Sequence, residues 1–398
     1  MKKICLVSDG TMPIPPVKGG AVETLIQFLV EQNEIEQKVF FYIISLYNEE
    51  AERKSKGYKY SKYIYILQDN YIERKKKALY RYINKASKIF LKNEITCYSA
   101  FYQKACKKII DINPDYIVCE GGAQLCSFSY FAKYFASEKL VVHLHGNWFP
   151  SRKVSNTFGM AIAVSEFVAK EYKSTCTNNE TKMHIVYNCI NETVFCNRLS
   201  LEEKYERRKK LGFASDDFII VFCGRICEDK GVKELIESVI QAESKVKLLI
   251  IGSPNYGMAS KSDYLNKVKM LVNQHDDKIK FTGYIPNDEL WRYHSIADCM
   301  AVPSMWEEPA GMTAIEGMTV GLPLVITDSG GLVEEVTEEC AIIVERKHNV
   351  VKQLTEAFDL LATQSDLCVK MGKASYRKSV EYSRSIFYDE YVKCFTEK

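Results

Sequence analysis

Two rhythms of apolar residues alternate along the chain. Short, continuously apolar runs in the first half read "KICLVS", "VFFYIIS", "YIYIL", "YIVCE", "LVVHLHG", "MAIAVS" and "MHIVYN". Between the first two, Val22, Leu25, Ile26, Leu29 and Val30 recur at the i, i+3, i+4, i+7 spacing of one helix face. After residue 218 the alternation restarts with "FIIVFCG", "VKLLIIG", "IKFTGY", "CMAVPS", "PLVIT" and "AIIV". Val232, Leu235, Ile236, Val239 and Ile240 form a second clear helical stripe. Strands that are apolar throughout are buried on both faces, as parallel sheets covered by helices require. The pattern predicts two α/β units, residues 1–190 and 191–383. They divide near "NCINETVFCNRLSLEEKYERRKK", residues 188–210, where strand character stops and charge takes over. The terminal stretch 384–398 is an aromatic-rich helical pattern, expected to pack back onto the first unit.

Composition changes little in this picture. A chain of 398 residues with 46% hydrophobic and 26% charged positions is ordinary for globular domains. The net charge of +3 does not by itself imply a polyanion partner. The 14 cysteines are scattered through apolar runs with no CxxC or zinc spacing, which suggests reduced thiols and a cytoplasmic location. The N-terminus, "MKKICLVSDG", has too short an apolar run for a signal peptide, and no stretch reaches the length of a membrane span. Residues 52–108 stand apart, with 16 Lys or Arg against 4 Asp or Glu, interleaved with tyrosines. Three readings fit: solvated helix faces, docking on an anionic membrane, or nucleic acid. The last lacks any accompanying RNA or DNA module.

Candidate chemistry lies in loops that follow strands and lead into helices, where open α/β sheets bind ligands. In "PPVKGGAVETL", residues 15–25, Gly19 and Gly20 precede a helix and let backbone amides approach an anion. A dinucleotide fingerprint, GxGxxG, is absent, which weakens any NAD reading. In "FCGRICEDKGV", residues 222–232, Arg225 and Lys230 flank a loop. Arg can clamp phosphate oxygens in a fork, and Lys adds a point charge. Lys at a helix start has the wrong sign for the dipole, so a function is a better account of it than stability.

The stretch "WEEPAGMTAIEGMTVGLPLVITDSGG", residues 306–331, sets Glu308 and Glu316 around Gly311. Thr313 and Glu316 fit a capping box, a purely structural reading. The alternative is that Gly311 bares backbone amides for a phosphate beside two carboxylates that can accept hydroxyls. A phosphate with hydroxyls describes a sugar nucleotide. In "VVHLHGNW", His145 ends a strand and His143 is expected to be packed. "HLH" has no evident third ligand or acidic neighbour, so no metal site is expected.

Together, "KGGAVE", "HGNW", "GRICEDKG" and "EPAGMTAIEGMTVGLPLV" resemble the retaining glycosyltransferases of family 4, over nearly the whole chain. The last carries the family's E-x7-E pattern, from Glu308 to Glu316. The resemblance implies the GT-B fold, two Rossmann-like domains facing a central cleft, with the acceptor bound by the first and the nucleotide sugar by the second. It implies that Glu316 binds ribose hydroxyls and that Glu308 holds the donor sugar. Arg225 and Lys230 would bind the diphosphate without a metal or other cofactor, helped by Gly311, Met312, Thr313 and the Gly19–Gly20 loop. His145 would approach the donor sugar near the reacting carbon. The expected reaction moves a hexose from a nucleoside diphosphate sugar, UDP-linked, to a glycan or lipid-linked acceptor in cell-surface polysaccharide or lipopolysaccharide synthesis. The expected place is the cytoplasm, with peripheral contact to the inner face of the membrane. The family often has Phe where Ala310 stands, so the identity of the sugar does not carry over. Two alternatives remain: a non-hydrolysing UDP-GlcNAc 2-epimerase, and a non-catalytic sugar-nucleotide-binding protein.

Overall fold

The computed structural model describes residues 1–90, 98–121, 125–147, 152–175, 181–253 and 263–397. Trp148 of "HGNW" and residues 91–97 of the basic stretch lie outside the described residues. The chain forms two compact units, residues 1–188 with 384–398, and residues 189–383.

All thirteen apolar runs form strands. The first unit holds β1 (Lys2–Val7), β2 (Val39–Leu46), β3 (Ser61–Ile66), β4 (Tyr116–Glu120), β5 (Leu140–Leu144), β6 (Met160–Ala163) and β7 (Lys182–Ile185). They build one parallel sheet in the order β3-β2-β1-β4-β5-β6-β7. The second unit holds β8 (Phe218–Cys223), β9 (Val246–Ile251), β10 (Ile279–Gly283), β11 (Cys299–Val302), β12 (Leu324–Thr327) and β13 (Ala341–Val344), in the order β10-β9-β8-β11-β12-β13. Each sheet reverses its winding once, at β1/β4 and at β8/β11. Such a switch point opens a crevice between diverging loops at the strands' carboxyl ends, the usual ligand position in this class.

Packing follows the sequence stripes. On helix Val232–Gln241, the side chains of Val232, Leu235, Ile236 and Val239 are all fully buried. Each contributes roughly 1.5–3 kcal/mol of transfer free energy. Helix Arg384–Thr396 lies against helix Ala21–Glu36 of the first unit. There Tyr388 donates to Asn33 Oδ1 at 2.6 Å, and Lys38 pairs with Asp389 at 2.7 Å.

The charged stretch before β8 is not simply a solvated connector. Ser200 and Glu203 form a capping box for helix Leu201–Lys210. Arg208 on that helix is 4% exposed and donates to the carbonyl of Ile296 at 2.7 Å and to both oxygens of Asp298. Its fork satisfies backbone oxygens that would otherwise be buried without partners.

Candidate active site

In the second unit, the loops after β8 and β11 carry most of the residues singled out from the sequence. Arg225 lies two residues beyond β8 and is half-buried. Its guanidinium makes no ion pair among the described residues. Lys230 closes the 3-10 turn Glu228–Lys230, and Gly231 then caps helix Val232–Gln241 in the left-handed region at φ 65°. A Cβ at Gly231 would meet the Pro303 carbonyl at 1.9 Å, so glycine is what lets the two loops approach.

That approach joins Lys230 to Glu308: Nζ donates to Oε1 at 2.5 Å, and the Ser304 hydroxyl donates to the same oxygen. Glu308 is only 4% exposed. Its backbone is pinned on both sides, with its N–H on Ser329 Oγ at 3.0 Å and its carbonyl accepting from Gly331 at 2.7 Å. Gly330, at φ 45°, leaves no room for a Cβ, which would stand 2.3 Å from that carbonyl. The sequence pair Gly330-Gly331 therefore serves to hold the Glu308 loop.

Two expectations for this stretch need correction. Helix Met312–Val320 begins one residue before Thr313, its N-cap is Gly311, and no side chain caps it. Glu316 is thus on the second turn and does not close a capping box, which removes the structural account of that residue. Gly311 does not offer its amide to an outside anion either. Its N–H donates to both oxygens of Glu335 at 2.9 Å, and a Cβ there would strike Leu332 and Glu335. Met312 and Thr313, half-buried in the first turn, retain N–H groups that no helical carbonyl accepts.

Glu316 is buried and faces different company from Glu308. Its carboxylate lies within 4.8 Å of Cys223 Sγ and a ring nitrogen of His294. Burial pushes its carboxyl up to about 8. Burial likewise pushes His294 down to about 3, and neither ring nitrogen of that residue has a partner. Glu335 is fully buried and is pushed up to about 8 by burial, despite the Gly311 bond that favours its charge. Neither His294 nor Glu335 carried a readable signal in the sequence. Each looks like a polar residue on an ordinary helical or turn segment, and only packing shows it to be buried.

In the first unit, Gly19 and Gly20 adopt φ 80° and 109°, and Gly20 is the N-cap of helix Ala21–Glu36. Nothing lies within 4 Å of a Cβ built on Gly19, so this exposed turn is open to an incoming group. His145 directly follows β5. The expectation that "HLH" has no acidic neighbour is overturned by Glu120, the last residue of the adjacent strand β4. Glu120 Oε2 lies 2.9 Å from His143 Nδ1 and 2.8 Å from His145 Nε2, and Tyr391 donates to Oε1 at 3.1 Å. The sequence could have flagged this, since β4 and β5 end in "CE" and "HLH" and pair in parallel, with Glu120 opposite His143. Burial alone would raise the Glu120 carboxyl, but attraction to His143 and the hydrogen bonds of both rings outweigh it and hold it at about 2. Burial, followed by repulsion from His143, lowers His145, against the pull of Glu120.

Among the described residues, two groups thus have the donor atoms for a metal ion: Glu120, His143 and His145, and Cys223, His294 and Glu316. In the first, direct hydrogen bonds already use the converging atoms.

Residues 203–378 match the family described as glycosyl transferases group 1. An uncharacterized glycosyltransferase of Methanocaldococcus jannaschii is 33% identical over 180 residues, 45% of this chain and 44% of its own. A lipopolysaccharide 1,2-N-acetylglucosaminetransferase of Salmonella typhimurium is 27% identical over 210 residues, 50% of this chain and 51% of its own. The chain thus spans about half the length of these curated relatives. The crystal structure of Anabaena HepE in complex with UDP-glucose aligns over 100% of both chains with a TM-score of 0.74 and 15% identity. That likeness is one of fold, GT-B.

Proposed function

We propose that the chain is a retaining glycosyltransferase of family 4, transferring a hexose from a UDP-linked sugar to a glycan or lipid-linked acceptor. The observation that carries this reading is the Lys230–Glu308 pair, pinned at the β8/β11 switch point, with Arg225 on the same loop as Lys230 and in no ion pair among the described residues. Arg225 and Lys230 neutralise the diphosphate as negative charge develops on the leaving group, the kind of fixed electrostatic help that dominates many sites. The open amides of Met312 and Thr313 add donors at a helix N-terminus. Glu308 takes hydroxyls of the sugar, and Glu316, a carboxyl without a hydrogen-bond partner among the described residues, takes those of the ribose. His145 and the Gly19–Gly20 turn are the first unit's own candidate groups for this reaction.

A retaining glycosidase would need a carboxylate nucleophile about 5–5.5 Å from an acid. Here Glu308 is already committed to Lys230 and Ser304, so it serves as a positioning group. Front-side attack fits better: the acceptor hydroxyl adds on the face the diphosphate leaves, and a phosphate oxygen takes its proton. Lys230 and Arg225 supply the charge that a metal supplies elsewhere.

The acceptor belongs to the first unit, where a cavity of about 500 Å³ lies beside the ends of β1 and β2, lined by Asp9, Gln68, Arg74 and Lys77. A lipid-linked acceptor would bring the basic stretch 52–108 to an anionic inner membrane face. No helix among the described residues is long and apolar enough to cross a membrane, so contact of this kind would be peripheral. The Salmonella relative acts on lipopolysaccharide by its name, which favours cell-surface polysaccharide as the product class.

A panel of UDP, GDP, ADP and TDP sugars, read by thermal shift and then by product analysis with and without acceptor, tests the proposal. Stabilisation by one nucleotide sugar and acceptor-dependent release of nucleoside diphosphate are expected. Conversion of the donor without acceptor would mean an epimerase, and binding without any release would mean a non-catalytic protein.

A further inference from the structure

The carboxylate that joins His143, near the end of β5, to His145, just after it, has no role in the reading above, and its surroundings give it one. Glu120 is 1% exposed and His143 is 1% exposed, so water does not compete for their contacts. An ionised carboxylate can only accept hydrogen bonds. Three groups meet it: a ring nitrogen of His143, a ring nitrogen of His145, and the hydroxyl of Tyr391. Each must therefore donate. His143 carries its proton on Nδ1, His145 carries its proton on Nε2, and the remaining ring nitrogens, His143 Nε2 and His145 Nδ1, are buried without partners. Among the described residues those atoms have no other partner, so it is the bonds to Glu120 that fix the orientation of both rings. Their centroids are 3.9 Å apart, so one ring cannot turn without displacing the other.

The arrangement reaches the far end of the chain. Tyr391 lies on helix Arg384–Thr396, is fully buried, and packs its ring 5.4 Å from that of His143. The last helix thus seats the carboxylate from behind. A residue 271 positions along the sequence from Glu120 holds it in place.

We propose that Glu120 is a positioning residue: with Tyr391 behind it, it sets the orientation and the Nε2–H tautomer of His145 at the head of the loop that follows β5. This rests on the reading that His145 approaches the donor sugar. Second-sphere carboxylates of this kind alter function through the group they orient, typically by about 10- to 100-fold.

The test uses the full-length protein and long-range ¹⁵N–¹H correlation spectra of its histidines. The chain has six, and H145Q assigns the relevant signals by their loss. The wild type is expected to show His145 protonated on Nε2 only. Glu120→Ala should give mixed tautomers for His145 and lower kcat about 10- to 100-fold, with donor KM changed less than about threefold. Glu120→Gln keeps an acceptor oxygen, so it should restore the Nε2–H form and most of the lost turnover. Tyr391→Phe, which removes one hydroxyl, should give a smaller fall in kcat and covers the case in which Glu120→Ala does not fold. An Nδ1–H form of His145 in the wild type would overturn the proposal. So would an unchanged tautomer in both Glu120→Ala and Tyr391→Phe, or a zinc ion that co-purifies with the wild type and is lost from Glu120→Gln. If no nucleotide sugar is turned over, the transferase reading fails, while the spectra still decide what Glu120 does to the ring.

Discussion

Glu120 and Glu316 are both buried glutamates at sheet switch points, yet they are opposites. Glu120 has three donors on its two oxygens and is held at about 2. Glu316 has a thiol and an imidazole nearby and no hydrogen bond among the described residues, and is pushed up to about 8. The cost of burying a carboxylate is the same kind of cost in both cases. What differs is whether the protein supplies partners. Glu120 is complete as it stands and works within its own unit. Glu316 is left incomplete, which suits a group whose partners arrive with a ligand.

The largest expected effects break the second region. Glu308→Gln and Arg225→Ala should each lower turnover by about 100-fold or more, the first by loosening the hold on the sugar and the second by removing a charge that stabilises the leaving group. Arg225→Ala should leave the melting temperature unchanged, because that side chain makes no hydrogen bond or ion pair among the described residues. Turnover like that of wild type in both variants would end the assignment of this site.

Next comes stability, where the two glutamates should part. Removing one member of a buried, paired network costs about 3 kcal/mol, so Glu120→Ala should unfold at clearly lower denaturant. Glu316→Gln should be neutral or slightly stabilising, since it removes a buried carboxyl that has no partner. Equal losses in the two variants would erase the distinction.

The pH dependence should also run in opposite directions. The ordinary glutamate value is about 4.3. Glu316 and Glu335 lie above it in the folded protein, so between about 4.3 and 8 the unfolded chain has lost protons that the folded one keeps. Their contribution to stability therefore falls as pH rises through that window. Glu120 lies below the ordinary value, so its contribution is present above about 4.3 and is lost as pH falls toward 2. Melting temperatures across pH should show a shallower decline on the alkaline side in Glu316→Gln and Glu335→Gln. Glu120→Gln should be less sensitive to acid. A donor that bonds through hydroxyls favours ionised Glu316, so binding near pH 7 should release a proton, measurable by calorimetry in buffers of different ionisation enthalpy. Glu316→Gln should abolish that release.

The smallest effect separates two glycines. Gly330→Ala drives a Cβ into the Glu308 carbonyl and adds left-handed strain, so it should destabilise by about 2 kcal/mol or more. Gly19→Ala meets open space and carries strain alone, about 1 kcal/mol. Equal losses would mean that the Glu308 loop is not held as described.

Much of this protein could be read along the chain. Apolar runs long enough to be strands, separated by stripes of helical period, determined thirteen parallel strands in two units, because period and burial are local consequences of residue order. The sequence also singled out Arg225, Lys230 and Glu308 on loops after strands, and Glu316 on the helix that follows, as candidates. What the sequence could not contain was the partner of each group. Gly311 turned out to give its amide to Glu335, 24 positions away, so the open donors of that turn are the next two residues. Arg208, in a stretch that looked solvated, is buried against carbonyls 88 positions on. The "HLH" pair gained its acid from a neighbouring strand and its support from the final helix. Hydrogen bonds and burial depend on distance in space, and only the folded sheets bring such distant positions within reach.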